Sequence, residues 1–265
     1  AVAEACRNLS VTGAEPVALT DGLNFGNPET DDVQYQLTES IAGMSRAAES
    51  FGIPIVSGNA SMYNQSMGID IFPTPIIGSL GLLEDVEKHA TAGFKTEGDA
   101  IVLLGTDSTW DSIQGLAGSE YLDLVHGKVE GHPSIDLDLE IRTQAVCREA
   151  IEAGLVASGH DVSDGGVAIA IAESAIIGGI GAEIYESPGD RWDAAMFGES
   201  QSRIILSVPA DDVSRLEAMA AASNVPLTVI GNVGGSSLKF GDAISLPLAD
   251  ADDAWKNGYT LATSD

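Results

Sequence analysis

Ser57-Gly58-Asn59-Ala60-Ser61-Met62-Tyr63-Asn64 is the stretch on which the reading of this chain turns. It follows Ile53-Pro54-Ile55-Val56, an apolar run that predicts a buried strand. The stretch itself holds a Gly, two Asn, two Ser and a Tyr hydroxyl, and no charge. Such residues offer many neutral donors and acceptors, as a phosphate or a metal-bound phosphate requires. The same residues also make an ordinary polar turn at a strand end. On these eight residues alone both readings stand.

Strands and helices alternate on either side. Residues 1–9 read as the tail of a helix, and Val17-Ala18-Leu19-Thr20 as a short strand entering a Gly- and Asn-rich loop, Asp21 to Glu29. Val33, Leu37, Ile41, Met44, Ala48 and Phe51 recur at helical spacing, which predicts a helix from about Thr30. Thr74 to Leu83 reads as a strand, and Ala90 to Gly98 as a linker. Then follow a buried strand at Asp99 to Gly105, an irregular region at Thr106 to Pro133 and a long helix from Asp136 to Ala157. Ser158 to Gly166 reads as a loop, and Val167 to Ile177 as a helix apolar on every side, hence buried. Strands are expected at Gly181–Ile184, Arg203–Val208 and Leu227–Gly231, a helix at Asp211–Ser223, a hairpin at Lys239–Leu248, and a tail around Trp255. The pattern is that of an α+β or α/β protein, with a boundary near residue 94: one domain at 1–93, a second at 94–265.

The 265 residues suffice for one large or two ordinary domains. Forty acids against 12 bases give a net charge of −28, which argues against nucleic acid or an anionic membrane as partner. No apolar run approaches the roughly 18 residues that span a bilayer. Cys6 and Cys147 lie far apart, outside any CxxC pair, which argues against a zinc site or a disulfide scaffold and for a reducing cytoplasm. The chain lacks an initiator Met and opens on a helix-like pattern, so a piece of a longer protein is expected. With so few Lys and Arg, any phosphate would be held by helix N-termini, backbone N–H groups and divalent cations on carboxylates.

Four clusters can carry such chemistry. Asp21 with Asn24 and Asn27 can hold a magnesium water or a ribose hydroxyl, or simply form an Asx-turn or cap. Ser57–Asn64 is the second. In His160-Asp161-Val162-Ser163-Asp164-Gly165-Gly166, carboxylates and a hydroxyl precede a helix start, where they can bind magnesium and phosphate or where Asp164 can cap the helix. Phe197-Gly198-Glu199-Ser200-Gln201-Ser202-Arg203 offers carboxylate, hydroxyl and amide within one turn. There is no GxxxxGK[ST], no GxGxxG at Asp21–Gly26, and no defensible Ser–His–Asp order among four histidines.

Together with Thr20–Glu29 and Gly81-Leu82-Leu83-Glu84-Asp85, these stretches resemble, in the same order, the phosphoribosylformylglycinamidine synthase family of purine biosynthesis. Family members carry two tandem aminoimidazole-ribonucleotide-synthetase-like units, and this chain is similar to the second. The resemblance implies an N-terminal α+β domain that pairs with its counterpart into a barrel, and a C-terminal α/β domain. It implies an ATP-dependent ligase that phosphorylates the formamide oxygen of formylglycinamide ribonucleotide and replaces it with ammonia. Its implied partners are the N-terminal half of the same protein, a glutaminase subunit and a small accessory subunit.

By the same resemblance, Asp21 and Gly58 contact ATP, Asn59 is a Mg2+ ligand and Ser61 touches substrate. Asp161 and Ser163 belong to an auxiliary nucleotide–magnesium site, shared with Glu4 and Asn8. Glu199, Ser200 and Gln201 echo a substrate-binding stretch of the first unit. No catalytic residue is expected in this half, which alone is expected to be inactive. The alternatives are a homodimeric sibling of the same superfamily and a non-catalytic nucleotide-binding module.

Overall fold

The computed structural model describes residues 1–105, 113–185 and 191–263, the side chain of Leu261 excepted. Two compact units emerge, Ala1–Ser10 with Ala14–Glu84, and Val11–Gly13 with Asp85–Asp265. The division falls upstream of residue 94 because residues 85–93 bond within the second unit: Ala90 N–H donates to Thr12 O and Gly159 N–H to Thr91 O, both at 3.2 Å.

The first unit runs α1 (Val2–Ser10), β1 (Glu15–Asn24), α2 (Asp31–Phe51), β2 (Ile55–Ser61), β3 (Gln65–Ser66), β4 (Ile69–Asp70) and β5 (Thr74–Leu82). β1 is the centre of a three-stranded sheet, parallel to β2 and antiparallel to β5. β3 and β4 form a two-stranded hairpin. α1 packs on β1 and β5 and against α2, and Leu19 of β1 is fully buried. α2 ends on Gly52, whose left-handed backbone (φ 68°) returns its N–H to Ala48 O and Glu49 O.

Two expectations change here. Asp21–Asn24 continues the strand, because parallel pairing with β2 satisfies a backbone that the Gly and Asn content alone would leave in a loop. The Ser57–Ser61 part of the opening stretch is likewise strand, and β2 is solvent-exposed along nearly its whole length, Val56 included. It lies at the sheet's edge.

The second unit contains β6 (Ala100–Leu104), α3 (Glu120–His126), α4 (Leu137–Glu152), β7 (Ser158–Asp161), α5 (Gly166–Gly178), β8 (Ala182–Ile184), α6 (Trp192–Phe197), β9 (Ile204–Val208), α7 (Val213–Ala222), β10 (Leu227–Val233), β11 (Ser237–Phe240), β12 (Ile244–Pro247) and α8 (Leu248–Ala262). Its seven-stranded sheet has the order β12–β11–β8–β10–β6–β9–β7, antiparallel except for β8 with β11. The two-residue period of β6 divides the core. Ile101 and Leu103 join α5, α6 and Ala251 of α8, while Val102 and Leu104 join α4 and α7. Each such fully buried side chain contributes about 1.5–3 kcal/mol.

His160 and Asp161 belong to β7 and not to a loop, since β7 pairs with β9. The helix predicted to be buried all round shows Ile169 and Ile177 to solvent, because α5 lies in an outer layer. The expected tail at Trp255 is helix α8. In the region expected to be irregular, residues 106–112 lie outside the described residues, and the rest holds a 3-10 turn at Ile113–Leu116 and α3. Among the described residues no helix is long and apolar enough to cross a membrane.

Candidate functional site

The β1–β2 register sets Asp21 beside Gly58, Gly22 beside Asn59 and Asn24 beside Ser61. Paired residues in a sheet share a face and successive residues alternate. Asp21 and Gly58 therefore sit on one face, and Ser57, Asn59 and Ser61 on the other. Side-chain positions agree. Ser57 Oγ donates to Thr20 Oγ1 at 2.7 Å, a Cβ at Gly58 would collide with the Asp21 carboxylate, and one at Gly22 would lie 3.3 Å from Asn59 Oδ1. Leu19, two residues from Asp21, faces the α1 side, where Cys6 lies 3.9 Å from Ser79. The Asn59–Ser61 face also carries Ile76, Leu80 and Leu82 of β5, all more than half exposed.

After Ser61 the chain turns sharply, and Tyr63 takes a left-handed backbone (φ 59°). Asn64 holds this turn. Its Nδ2 donates to Ser61 O at 2.8 Å and to Phe25 O at 3.1 Å. Asn64 N–H also donates to Phe25 O, at 3.1 Å. Asn27 Oδ1 accepts from Glu29 N at 2.9 Å, the Asx-turn reading of that loop. The Asn64 clamp joins residues 39 apart, so no local signal announced it.

In the second unit, Asp161 is buried at the end of β7, Ser163 is half-buried, and Asp164 is exposed. Asp164 makes no capping bond to α5, which starts from Gly165 (φ 75°). His160 Nδ1 lies 2.7 Å from Asp161 O, and Nε2 lies 3.2 Å from Glu173 Oε2. Burial alone would lower the His160 pKa, but the hydrogen bonds to Glu173 and to the Asp161 backbone, with the two neighbouring carboxylate charges, raise it. The His160 bond holds Glu173 below its ordinary range against the opposing effect of burial, and Trp255 adds a hydrogen bond.

Glu199, Ser200 and Gln201 border a cavity of about 220 Å³ that Gln114, Ser134 and Asp136 also line. Glu199 Oε1 accepts from Gly165 N at 2.8 Å and from Glu120 N at 2.9 Å. Burial, with Asp164 and Glu120 nearby, raises the Glu199 pKa in spite of those two bonds. Arg203, 2 % exposed, bonds Ser200 O at 3.0 Å and Gly198 O, fixing the turn from inside.

Glu4 and Asn8 stand one turn apart on α1 of the first unit, Glu4 half-buried and Asn8 exposed. Among the described residues no group of three or more His, Cys, Asp or Glu is placed to hold a metal ion. Asn59 brings one neutral oxygen, and the Asp21 carboxylate lies on the opposite face of the strand pair. These donors fit only a magnesium that arrives with its own phosphate ligands.

Residues 1–83 match the family model "AIR synthase related protein, N-terminal domain", and residues 96–241 match "AIR synthase related protein, C-terminal domain". The chain belongs to the AIR synthase related family. Among curated relatives of this AIR synthase related protein, the phosphoribosylformylglycinamidine synthase subunit PurL of Moorella thermoacetica is 46 % identical over 239 residues, 90 % of this chain and 32 % of the relative. The same subunit from Anaeromyxobacter sp. (strain Fw109-5) is 43 % identical over 270 residues, 97 % of this chain and 34 % of the relative. The chain thus spans about a third of the length of these relatives. Its fold matches that of T. maritima PurL complexed with FGAR, with a TM-score of 0.74 at 20 % identity over 95 % of this chain and 42 % of that one.

Proposed function

We propose that this AIR synthase related unit is the second half of an ATP-dependent carbon–nitrogen ligase of the cytoplasm. Its substrate is formylglycinamide ribonucleotide, converted to the amidine. The observation that carries the reading is the uncovered sheet face of the first unit, where Asn59 and Ser61 share a surface with the exposed Ile76, Leu80 and Leu82. An apolar sheet face of this kind calls for a cover. A second synthetase-like unit, the N-terminal half of the same protein, would supply it and complete a site around those two side chains. A glutaminase subunit would feed ammonia, and a small accessory subunit would help assemble the complex.

In this reading Asp21 and the backbone at Gly58 contact the nucleotide from the α1 side. Asn59 would give one oxygen to magnesium, which would supply charge neutralisation at the nucleotide phosphates, and Ser61 would donate to the ribonucleotide. Phosphoryl transfer depends on such positioning and charge neutralisation more than on covalent chemistry from the protein. Asp161 and Ser163 are proposed as part of an auxiliary nucleotide–magnesium site, and Ser200 and Gln201 as polar contacts within the cavity.

The test measures ADP release with ATP, magnesium, formylglycinamide ribonucleotide and ammonia. The chain alone gives none. A two-unit enzyme carrying this chain as its second half gives turnover, and Ser61→Ala there raises KM for the ribonucleotide. Turnover by the chain alone, or an unchanged KM in the Ser61→Ala enzyme, overturns the reading.

A further inference from the structure

The resemblance would have Glu199 touch a ligand, yet its bonds run into the protein. A single oxygen, Oε1, receives the N–H of Gly165 at 2.8 Å and the N–H of Glu120 at 2.9 Å. Those two amides belong to different candidate sites. Gly165 lies in the turn after Asp161 and Ser163 that leads into α5. Glu120 opens α3, which follows the 3-10 turn at Ile113–Leu116 on the cavity wall.

The carboxylate is held on its own side as well. Glu199 N–H donates to Gly115 O at 2.6 Å, and Arg203 pins the carbonyls of Gly198 and Ser200 on either side of it. Tyr121 of α3 stacks on Phe197, with centroids 5.0 Å apart and planes 5° from parallel. Gly115 leaves no room for slack, since a Cβ there would meet Ser200 Oγ.

We infer that Glu199 is a positioning residue that couples the Ser163–Gly166 turn to the cavity wall, so that a change at either place is felt at the other through one shared acceptor. Such coupling is reciprocal by necessity. The charged groups facing Glu199 are Asp164 from the α5 turn and Glu120 from α3. Asp136 lies across the cavity, and the Arg203 guanidinium lies beneath the turn. The inference rests on bonds within the second unit, so it stands or falls separately from the ligase reading.

The test is amide hydrogen exchange on the chain, corrected for intrinsic rates, in a double-mutant cycle. Ser119 Oγ accepts from Leu122 N at 3.2 Å and caps α3, so Ser119→Ala loosens that helix start. With Glu199 present, Ser119→Ala is expected to speed exchange at Gly165 by about fivefold or more, the low end of typical coupling. In a Glu199→Ala background the same substitution leaves Gly165 unchanged. Glu199→Gln keeps an acceptor oxygen and therefore keeps both amides protected; it also makes their protection independent of pH through the carboxylate range, where the wild type varies. Equal responses of Gly165 to Ser119→Ala with and without Glu199 would overturn the coupling. So would loss of protection at only one amide in Glu199→Gln, a variant that serves if Glu199→Ala does not fold.

Discussion

The Asp21 carboxylate occupies the space in which a side chain on Gly58 would begin. The contact crosses from β1 to β2 and follows from their parallel register, so a residue of one strand dictates the size of its neighbour on the other. Gly58→Ala is expected to destabilise the first unit by about 1–3 kcal/mol, the usual cost of overpacking. Asp21→Ala in the same chain should recover only part of the loss, because the Asp21 backbone oxygen stays 2.8 Å from the same point. Denaturant unfolding of the two single variants and the double variant measures this; strictly additive losses would show that the contact does not matter.

His160 and Glu173 make stability depend on pH in opposite directions. The raised pKa of His160 gives stability that is fully present below its ordinary 6.5 and lost as pH rises through the folded value. The lowered pKa of Glu173 gives stability present above its ordinary 4.5 and lost as pH falls through the folded value. The pair therefore helps most between those two ordinary values. Unfolding midpoints of wild type and His160→Gln should differ most in that window and converge toward alkaline pH. A constant gap across the whole range would contradict the assignment.

Glu199 reverses the usual carboxylate behaviour. Its folded pKa is raised, so its contribution is greatest when it is protonated and declines as pH rises. Glu199→Gln removes the buried charge and keeps an acceptor. It is expected to raise the unfolding midpoint at neutral pH, with the gain disappearing below the ordinary carboxylate range. A lower midpoint at neutral pH would mean that the negative charge itself is needed for the two amide bonds.

Burial pushes the Cys147 thiol up to about 12, and Cys6 is fully buried. Thiolate is the reactive form. A disulfide reagent at mildly alkaline pH should modify neither cysteine in the native chain and both after denaturation; rapid native labelling would contradict this packing.

A net charge of −28 makes the folded chain repel itself. Raising salt from about 0.1 to 1 M shortens the screening length from roughly 10 to 3 Å. The thermal midpoint should rise over that interval and rise less in variants with surface acids neutralised. A flat or falling salt response would show that repulsion is not limiting.

The sequence made the second unit's core legible, because Ile101–Leu104 and Ile204–Val208 are short apolar runs between breakers. α2 was equally clear from its spacing, and its buried contacts are Val33, Met44, Ala47 and Ala48. Asp21–Asn24 and Ser57–Ser61 were obscure for a physical reason. Strand formation there comes from pairing between segments distant in sequence, and the uncovered outer face tolerates polar residues that ordinarily mark loops. Long-range anchors were not legible either. Asn64 reaches Phe25, and Glu199 reaches residues 34 and 79 positions away. The types of these residues suggested a ligand as readily as a clamp.

The alternation along β2 also sets what mutation can do there. Residues 57, 59 and 61 can vary in chemistry without disturbing the side that Gly58 and Ala60 share with Asp21 and Leu23. A saturation scan from Ser57 to Ser61 should therefore give one sharp loss of fold, at Gly58, where any side chain begins inside the Asp21 carboxylate, while the exposed positions on either side keep the fold. One fixed glycine thus leaves its neighbours along the strand open to change, so selection can alter the chemistry of this exposed edge while leaving the stability of the strand alone.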